Sequence, residues 1–198
     1  MSTTAFIGLG VMGYPMAGHL RSAGHDVTVF NRTAARAASW IAEHGGSAAP
    51  TPAAAAEGSE IVFLCVGADH DVREVTLGPD GVLSTMASGT VLVDHTTASA
   101  DVAREVHGAA AERGVGFVDA PISGGQAGAE NGALSIMCGG EQAAYDAAHP
   151  VMAAYGKTIR RMGGTGAGQL TKMVNQICIA AVSYTHLRAH ETERLISY

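Results

Sequence analysis

The amino-acid sequence predicts an α/β fold, a Rossmann-like, doubly wound, mostly parallel sheet followed by the start of an interdomain helix, on three observations. Short β-branched and apolar runs alternate with Ala-rich amphipathic stretches, the rhythm of βαβ units. A glycine-rich turn, Gly8-Leu9-Gly10-Val11-Met12-Gly13, stands between the first such run and the first helix. The 198 residues suffice for one such domain and a short extra element, and 47% of them are apolar with few aromatics, which suits close helix-on-sheet packing.

In chain order, strands are expected at residues 5–9, 27–30, 61–66, 91–94, 115–119, 133–138 and 158–162. Helices are expected between them at 12–23, 34–44, 52–57, 71–76, 100–113 and 142–155, with Gly24, Gly45 and Gly114 placed to end three of them. After Met162 the run Gly163-Gly164-Thr165-Gly166-Ala167-Gly168 breaks the alternation, and an apolar helix starts near Gln169 and continues through Val182. The expected organisation is therefore an α/β domain over 1–163, the start of a helical domain over 164–182, and a stretch, 183–198, whose His, Arg, Thr and Glu residues show little helical periodicity.

The formal charge of −6 and the lack of any Lys/Arg block argue against nucleic acid as a partner, because that affinity rests on phosphate neutralisation. A small ligand is expected instead. No apolar run approaches the roughly 20 residues of a membrane helix. The start Met1-Ser2-Thr3-Thr4 passes into a strand without a basic leader, so the cytoplasm is the expected location. Cys65, Cys138 and Cys178 are odd in number and widely spaced in apolar stretches, and read as reduced core residues rather than as disulfides or metal ligands. No metal site is expected; His186 and His190 have the spacing of a helical metal pair but no evident third ligand. The remaining histidines, His70 and His95 included, read as polar loop or helix residues, with His95 placed to influence pH behaviour.

The turn Gly8-Leu9-Gly10-Val11-Met12-Gly13 matches G-x-G-x-x-G in its proper setting, after a strand and at the start of a helix. Gly8 permits a tight turn, Gly10 lets the backbone approach a pyrophosphate, and Gly13 lets helix and strand pack closely. The helix N-terminus then offers N–H donors and a positive dipole to phosphates. At the end of the second strand, where NAD-selecting domains carry Asp or Glu, the sequence has Asn31-Arg32-Thr33. A guanidinium there can bind a ribose 2′-phosphate, so NADP is favoured, with NAD as the alternative; a plain loop arginine is the other reading of Arg32. The same triplet is formally a glycosylation acceptor, taken here as a chance match.

Farther along, Asp119-Ala120-Pro121-Ile122-Ser123-Gly124-Gly125 places a hydroxyl and two glycine amides in one turn after a strand, an arrangement that can hold a carboxylate or serve simply as a turn. Lys172, Asn175 and Gln176 share one face of the helix after the glycine run. A lysine there is either a solvated surface group or, with a lowered pKa, an acid that protonates an oxygen gaining negative charge; Asn175 would hold the substrate hydroxyl or orient the lysine.

Five motifs in order, residues 6–17, Asn31-Arg32-Thr33, Asp94-His95-Thr96-Thr97, Asp119 to Gly125 and Gly166 to Gln176, closely resemble the 3-hydroxyisobutyrate dehydrogenase, or β-hydroxyacid dehydrogenase, family over about residues 4–182. The resemblance implies a nicotinamide-dependent oxidoreductase acting on a small carboxylic acid, such as a β-hydroxy acid or short semialdehyde. It places Gly8, Leu9, Gly10, Val11, Met12, Gly13, Asn31, Arg32, Thr33, Val66 and Thr97 along the cofactor. It also places Ser123, Gly124 and Gly125 on the substrate carboxylate, and Lys172 as acid/base beside Asn175. A non-catalytic dinucleotide-binding module or an imine-reductase-like enzyme on the same fold are the alternatives. Family chains continue for roughly a hundred further residues of helical domain, the size of an ordinary domain. That domain would close one wall of the site and form a homo-oligomer contact; residues 183–198 resemble nothing expected there and read as appended sequence. Ile177, Ile179 and Val182 are expected to lie exposed.

Overall fold

The computed structural model describes the backbone of residues 1–195 and the side chains of residues 1–181. Its elements run β1 (Thr3–Ile7), α1 (Gly13–Ser22), β2 (Asp26–Phe30), α2 (Ala34–His44), β3 (Ser47–Ala48), α3 (Pro52–Ala56), β4 (Ile61–Leu64), α4 (Asp69–Leu77), β5 (Val91–Asp94) and α5 (Ala100–Glu112). There follow β6 (Gly116–Asp119), β7 (Ile122–Ser123), α6 (Gly125–Glu130), β8 (Leu134–Gly140), α7 (Gln142–Met152), β9 (Gly156–Gly163) and α8 (Ala167–Leu195). One sheet carries all the strands in the order β3-β2-β1-β4-β5-β6-β8-β7, with β9 on β8. The first six are parallel neighbours, and β8 runs antiparallel to β6 and β7.

The chain winds outward from β1 to β2 and β3, then returns to the other side of β1 as β4, so β1 and β4 flank the point at which the winding reverses. Loops beyond the carboxyl ends of such strands diverge to opposite faces and leave a crevice. Register fixes where that edge lies. Phe30, Ile7, Leu64, Asp94 and Asp119 form one row across β2, β1, β4, β5 and β6.

Alternation along the buried strands divides the core between the two faces. Phe6, Phe63, Val93 and Val118 face a layer built on Met16, Leu20, Trp40 and Tyr155. Ile7, Leu64, Leu92 and Phe117 face a second layer built on Val72, Val102 and Val106. His95 belongs to the first layer rather than to a polar loop or helix. It is 1% exposed, stacks on Phe63 at 5.9 Å, and meets the carbonyl of Ala120 through Nδ1 (2.7 Å) and the Tyr155 hydroxyl through Nε2 (2.8 Å). A carbonyl can only accept, so Nδ1 carries the proton and Tyr155 donates to Nε2. Burial holds the His95 pKa down to about 4, and the ring is neutral at physiological pH.

Sequence periodicity located the long strands and helices but not β3, β7, the six-residue α6 or a 3-10 turn over Val82–Ser84, each too short to carry a period. The last strand and α8 are both longer than expected. Among the cysteines, Cys138 is buried and Cys65 half-buried, but Cys178 is exposed, contrary to its reading as a core residue, because residues 176–181 of α8 are exposed all round the helix. Ile177 and Ile179 are exposed as well, as expected; the Val182, His186 and His190 side chains, and those of the whole 183–198 stretch, lie outside the described residues. No described helix is long and apolar enough to cross a membrane, and no group of three or more described His, Cys, Asp or Glu residues can hold a metal ion.

Replacing Tyr155 with Phe removes the one donor to His95 Nε2 inside the core. The variant is expected to lose about 1–3 kcal/mol of stability, the cost of an unsatisfied buried acceptor. Urea unfolding checks this; an unchanged midpoint would contradict the pairing.

Candidate active site

A cavity of about 720 Å³ opens at the crevice between β1 and β4. Its walls include Gly8, Leu9, Gly10, Val11, Met12, Asn31, Arg32, Thr33 and Val66, nine of the eleven residues singled out for a cofactor. Gly13 stands behind the wall, and Thr97 is exposed beyond its end.

The three glycines of the turn have separate causes. Gly8 takes φ +96°, and a Cβ there would lie 2.3 Å from the Cys65 carbonyl oxygen. A Cβ on Gly13 would lie 2.0 Å from the Gly8 carbonyl oxygen. Both are thus demanded by the chain's own contacts. At Gly10 no protein atom lies within 4 Å of where a Cβ would be, so the chain itself has no steric reason for glycine there. Helix α1 begins at this point with neither a side-chain cap nor an acidic residue in its first turn to oppose its positive dipole end, next to Val11 and Met12 of the cavity wall.

Asn31 ties the two loops of the wall together: its Oδ1 accepts from the Leu9 amide at 2.9 Å, and its Nδ2 donates to the Thr33 carbonyl at 3.1 Å. Arg32 extends into solvent, its side chain 83% exposed, with Nη1 3.4 Å from Asp71 Oδ1. Arg36 also lines the cavity, donates through Nε to the Leu9 carbonyl and lies 5.1 Å over the Tyr14 ring. Sequence reasoning missed Arg36, although its position one helical turn after Arg32 was the available signal.

The residues singled out for substrate and catalysis do not line this cavity; Ser123 to Gly125 lie at β7 and the start of α6, and Lys172 and Asn175 on α8. Ser123 is half-buried at the end of β7, and Gly124 and Gly125 take φ +136° and +61°, so the turn needs both glycines. The first turn of α8 is bound to the buried Asp119: its Oδ1 accepts from the Gly166 amide at 2.7 Å and its Oδ2 from the Gln169 amide at 3.0 Å. The Gln169 side chain, 2% exposed, donates to the Thr96 carbonyl at 2.7 Å and accepts from the Ala98 amide at 3.1 Å, so it brackets Thr97. Thr96 in turn accepts from the Val66 amide at 3.1 Å. One turn after Gln169, Lys172 is 7% exposed and, among the described residues, has no hydrogen-bond or ion-pair partner. Burial lowers its pKa. Asn175, one turn further, has a buried Oδ1 with no partner. Sequence reasoning passed over Asp119, Gln169 and Thr96 as holders of this arrangement, because their partners lie from 30 to 73 residues away.

The chain is similar to proteins whose chemistry bears on this geometry. Residues 3–164 match the family described as the NAD-binding domain of 6-phosphogluconate dehydrogenase. An uncharacterized oxidoreductase of Shewanella frigidimarina is 59% identical over 182 residues, covering 92% of this chain and 62% of the relative. An NAD-dependent L-serine dehydrogenase of Pseudomonas aeruginosa is 39% identical, covering 92% and 61%. The solved structure of Mycobacterium tuberculosis 3-hydroxyisobutyrate dehydrogenase with L-serine superposes with a TM-score of 0.88 at 34% identity, covering 96% of this chain and 66% of that one. The chain thus spans about three-fifths of the length of the relatives it matches.

Two neighbouring carboxyls make this edge responsive to pH. Asp94 is fully buried, with Oδ1 accepting from the Thr96 amide at 2.8 Å and Oδ2 without a partner, and burial pushes its pKa up to about 7. Burial likewise pushes Asp119 up to about 6, against the pull of the amides it receives. Both groups bind protons more tightly folded than unfolded, so their contribution to stability is full below pH 4 and is lost as pH rises through 6 and 7. Asp94→Asn keeps the acceptor for Thr96 and removes the charge. Its unfolding free energy is expected to fall less than that of the unaltered chain between pH 4 and 8, by an amount on the order of 1–3 kcal/mol. Parallel profiles in urea titrations at the two pH values would contradict a titrating Asp94.

Proposed function

Because the chain belongs to the family of the NAD-binding domain of 6-phosphogluconate dehydrogenase, we propose that it forms the cofactor-binding part and catalytic lysine segment of an NADP-dependent oxidoreductase acting on a small β-hydroxy acid, semialdehyde or 2-oxo acid. The observation that carries this reading is Gly10. Its open surroundings beside an uncapped helix N-terminus suit a backbone that must approach a pyrophosphate, as no internal contact accounts for the missing side chain.

Gly10 to Gly13 hold the pyrophosphate through backbone amides, with Gly8 and Asn31 fixing the loop that presents them and Leu9, its own amide taken by Asn31, lining the wall. Arg32 selects a ribose 2′-phosphate, with Arg36 on the same wall adding positive charge. Val66 and Thr97 line the path toward α8. When bound, a nicotinamide would supply or accept the hydride exchanged with the substrate carbon. Ser123, Gly124 and Gly125 hold the substrate carboxylate. Lys172, its pKa lowered by burial and its ammonium unpaired, gives a proton to the carbonyl oxygen as negative charge develops there, and takes it back in the reverse direction. Asn175, with a spare buried acceptor, orients the hydroxyl of the substrate. L-serine, named for two of the similar proteins, supports a small hydroxy acid as the substrate class. In this reading residues 1–163 are the cofactor unit and 164–182 open the adjoining helical domain.

Titration followed by nicotinamide fluorescence is expected to show NADPH bound several-fold to roughly tenfold more tightly than NADH. Lys172→Met is expected to leave both affinities within about twofold while lowering turnover of small semialdehydes by roughly two to four decades. Equal affinities would contradict the role of Arg32, and full turnover in the Met variant would remove Lys172 from the chemistry.

A further inference from the structure

At the end of β2 the sequence lacks the carboxylate that would select a free ribose hydroxyl, yet the folded chain brings one to the same place from α4. Asp71 Oδ1 lies 3.4 Å from Arg32 Nη1, across 39 residues of sequence. The carboxylate is held there independently of Arg32: its Oδ2 accepts from the Ala68 amide at 3.1 Å, in the first turn of α4, and lies 3.5 Å from the exposed His70 ring. A Cβ on Gly67 would come within 2.5 Å of that same oxygen, so the adjoining loop is shaped around it. Asp71 has only 16% of its side chain exposed, whereas Arg32 has 83%. The anion is therefore the fixed member of the pair and the guanidinium the mobile one. Both line the cavity of about 720 Å³ at the crevice.

We propose that Asp71 is a specificity-determining residue of the cofactor site, a built-in counter-charge that competes with a ribose 2′-phosphate for Arg32 and so limits the preference for NADPH over NADH. The proposal rests on the reading of Arg32 given above. A 2′-phosphate that reaches Arg32 must either draw the guanidinium away from Asp71 or sit near a fixed like charge; both weaken its binding, and neither acts on a ligand with a free 2′-hydroxyl. Selectivity is then set by the balance of two residues on different elements rather than by Arg32 alone. The interaction lies at the cavity rim, so added salt should diminish it.

The test is binding of NADPH and NADH to the chain, followed by nicotinamide fluorescence at low salt and again in 0.5 M NaCl (roughly a 4 Å screening length). Asp71→Asn retains an oxygen for the Ala68 amide and removes the charge; Asp71→Ser is a second neutral variant able to cap the helix. Either is expected to tighten NADPH by about three- to tenfold, to leave NADH within about twofold, and to lose most of that gain in high salt. In an Arg32→Ala background the part of that gain that comes from competition for Arg32 should be lost, so the same substitution should tighten NADPH less than it does with Arg32 present. An unchanged NADPH/NADH ratio, or equal weakening of both, overturns the proposal and leaves Asp71 as a helix cap only. The Arg32→Ala variant separates the two levels. If it lowers NADPH affinity selectively while the Asp71 variants do not raise it, only this proposal fails; if it leaves the ratio unchanged, the reading of Arg32 fails and this proposal falls with it.

Discussion

A buried carboxylate, Asp119, ties the sheet to the helix that carries Lys172. It ends β6, in register with Asp94 on β5, and receives the Gly166 and Gln169 amides at the start of α8. Negative charge at the N-terminus of a long helix complements the helix dipole, and direct amide bonds fix the direction in which the helix leaves. The contact is close enough to dictate sequence around it. A Cβ on Gly139 would fall 2.5 Å from Asp119 Oδ1, and one on Gly168 would fall 2.3 Å from the Met137 carbonyl oxygen. The glycines on both sides of the joint are there because the helix end is pressed onto the strand edge.

From that anchor the rest of the edge follows through short links. Gln169 reaches the loop at Thr96 and Ala98, and Thr96 reaches Val66 beyond β4, which borders the cavity at the crevice. The loops after β4, β5 and β6 and the first turns of α8 are therefore joined by hydrogen bonds, and a buried lysine stands one turn past Gln169 with no counter-ion among the described residues. Asp94 and Asp119 remain costly to ionise in this packing.

Much of this could be read from the sequence. The alternation of apolar strands and amphipathic helices gave the sheet, and the glycine turn marked its crevice, because both signals are local and periodic. Nine of the eleven expected cofactor residues fall on one cavity for the same reason. What was not legible depends on long-range contact. The run from Gly163 to Gly168 reads only as a break in the alternation, and its distant partners alone show that Gly166 and Gly168, at the start of α8, press onto Asp119 and Met137. Asp119 reads as the first letter of a substrate turn, and only its partners 47 and 50 residues away reveal it as an anchor. His95 looks polar until Phe63, Ala120 and Tyr155 close around it. Arg32 looks like an unopposed cation because nothing local announces Asp71.

In the proposed function, backbone amides at the β1–α1 junction receive a pyrophosphate whose nicotinamide end lies toward Lys172. Amide chemical shifts of the isotopically labelled chain, followed as NADPH is added, test this most directly. Saturable shifts are expected at Gly10, Val11, Met12 and Gly13, with smaller ones at Thr96, Thr97 and Gln169. Saturable shifts elsewhere, with the Gly10 to Gly13 amides unmoved, would contradict it.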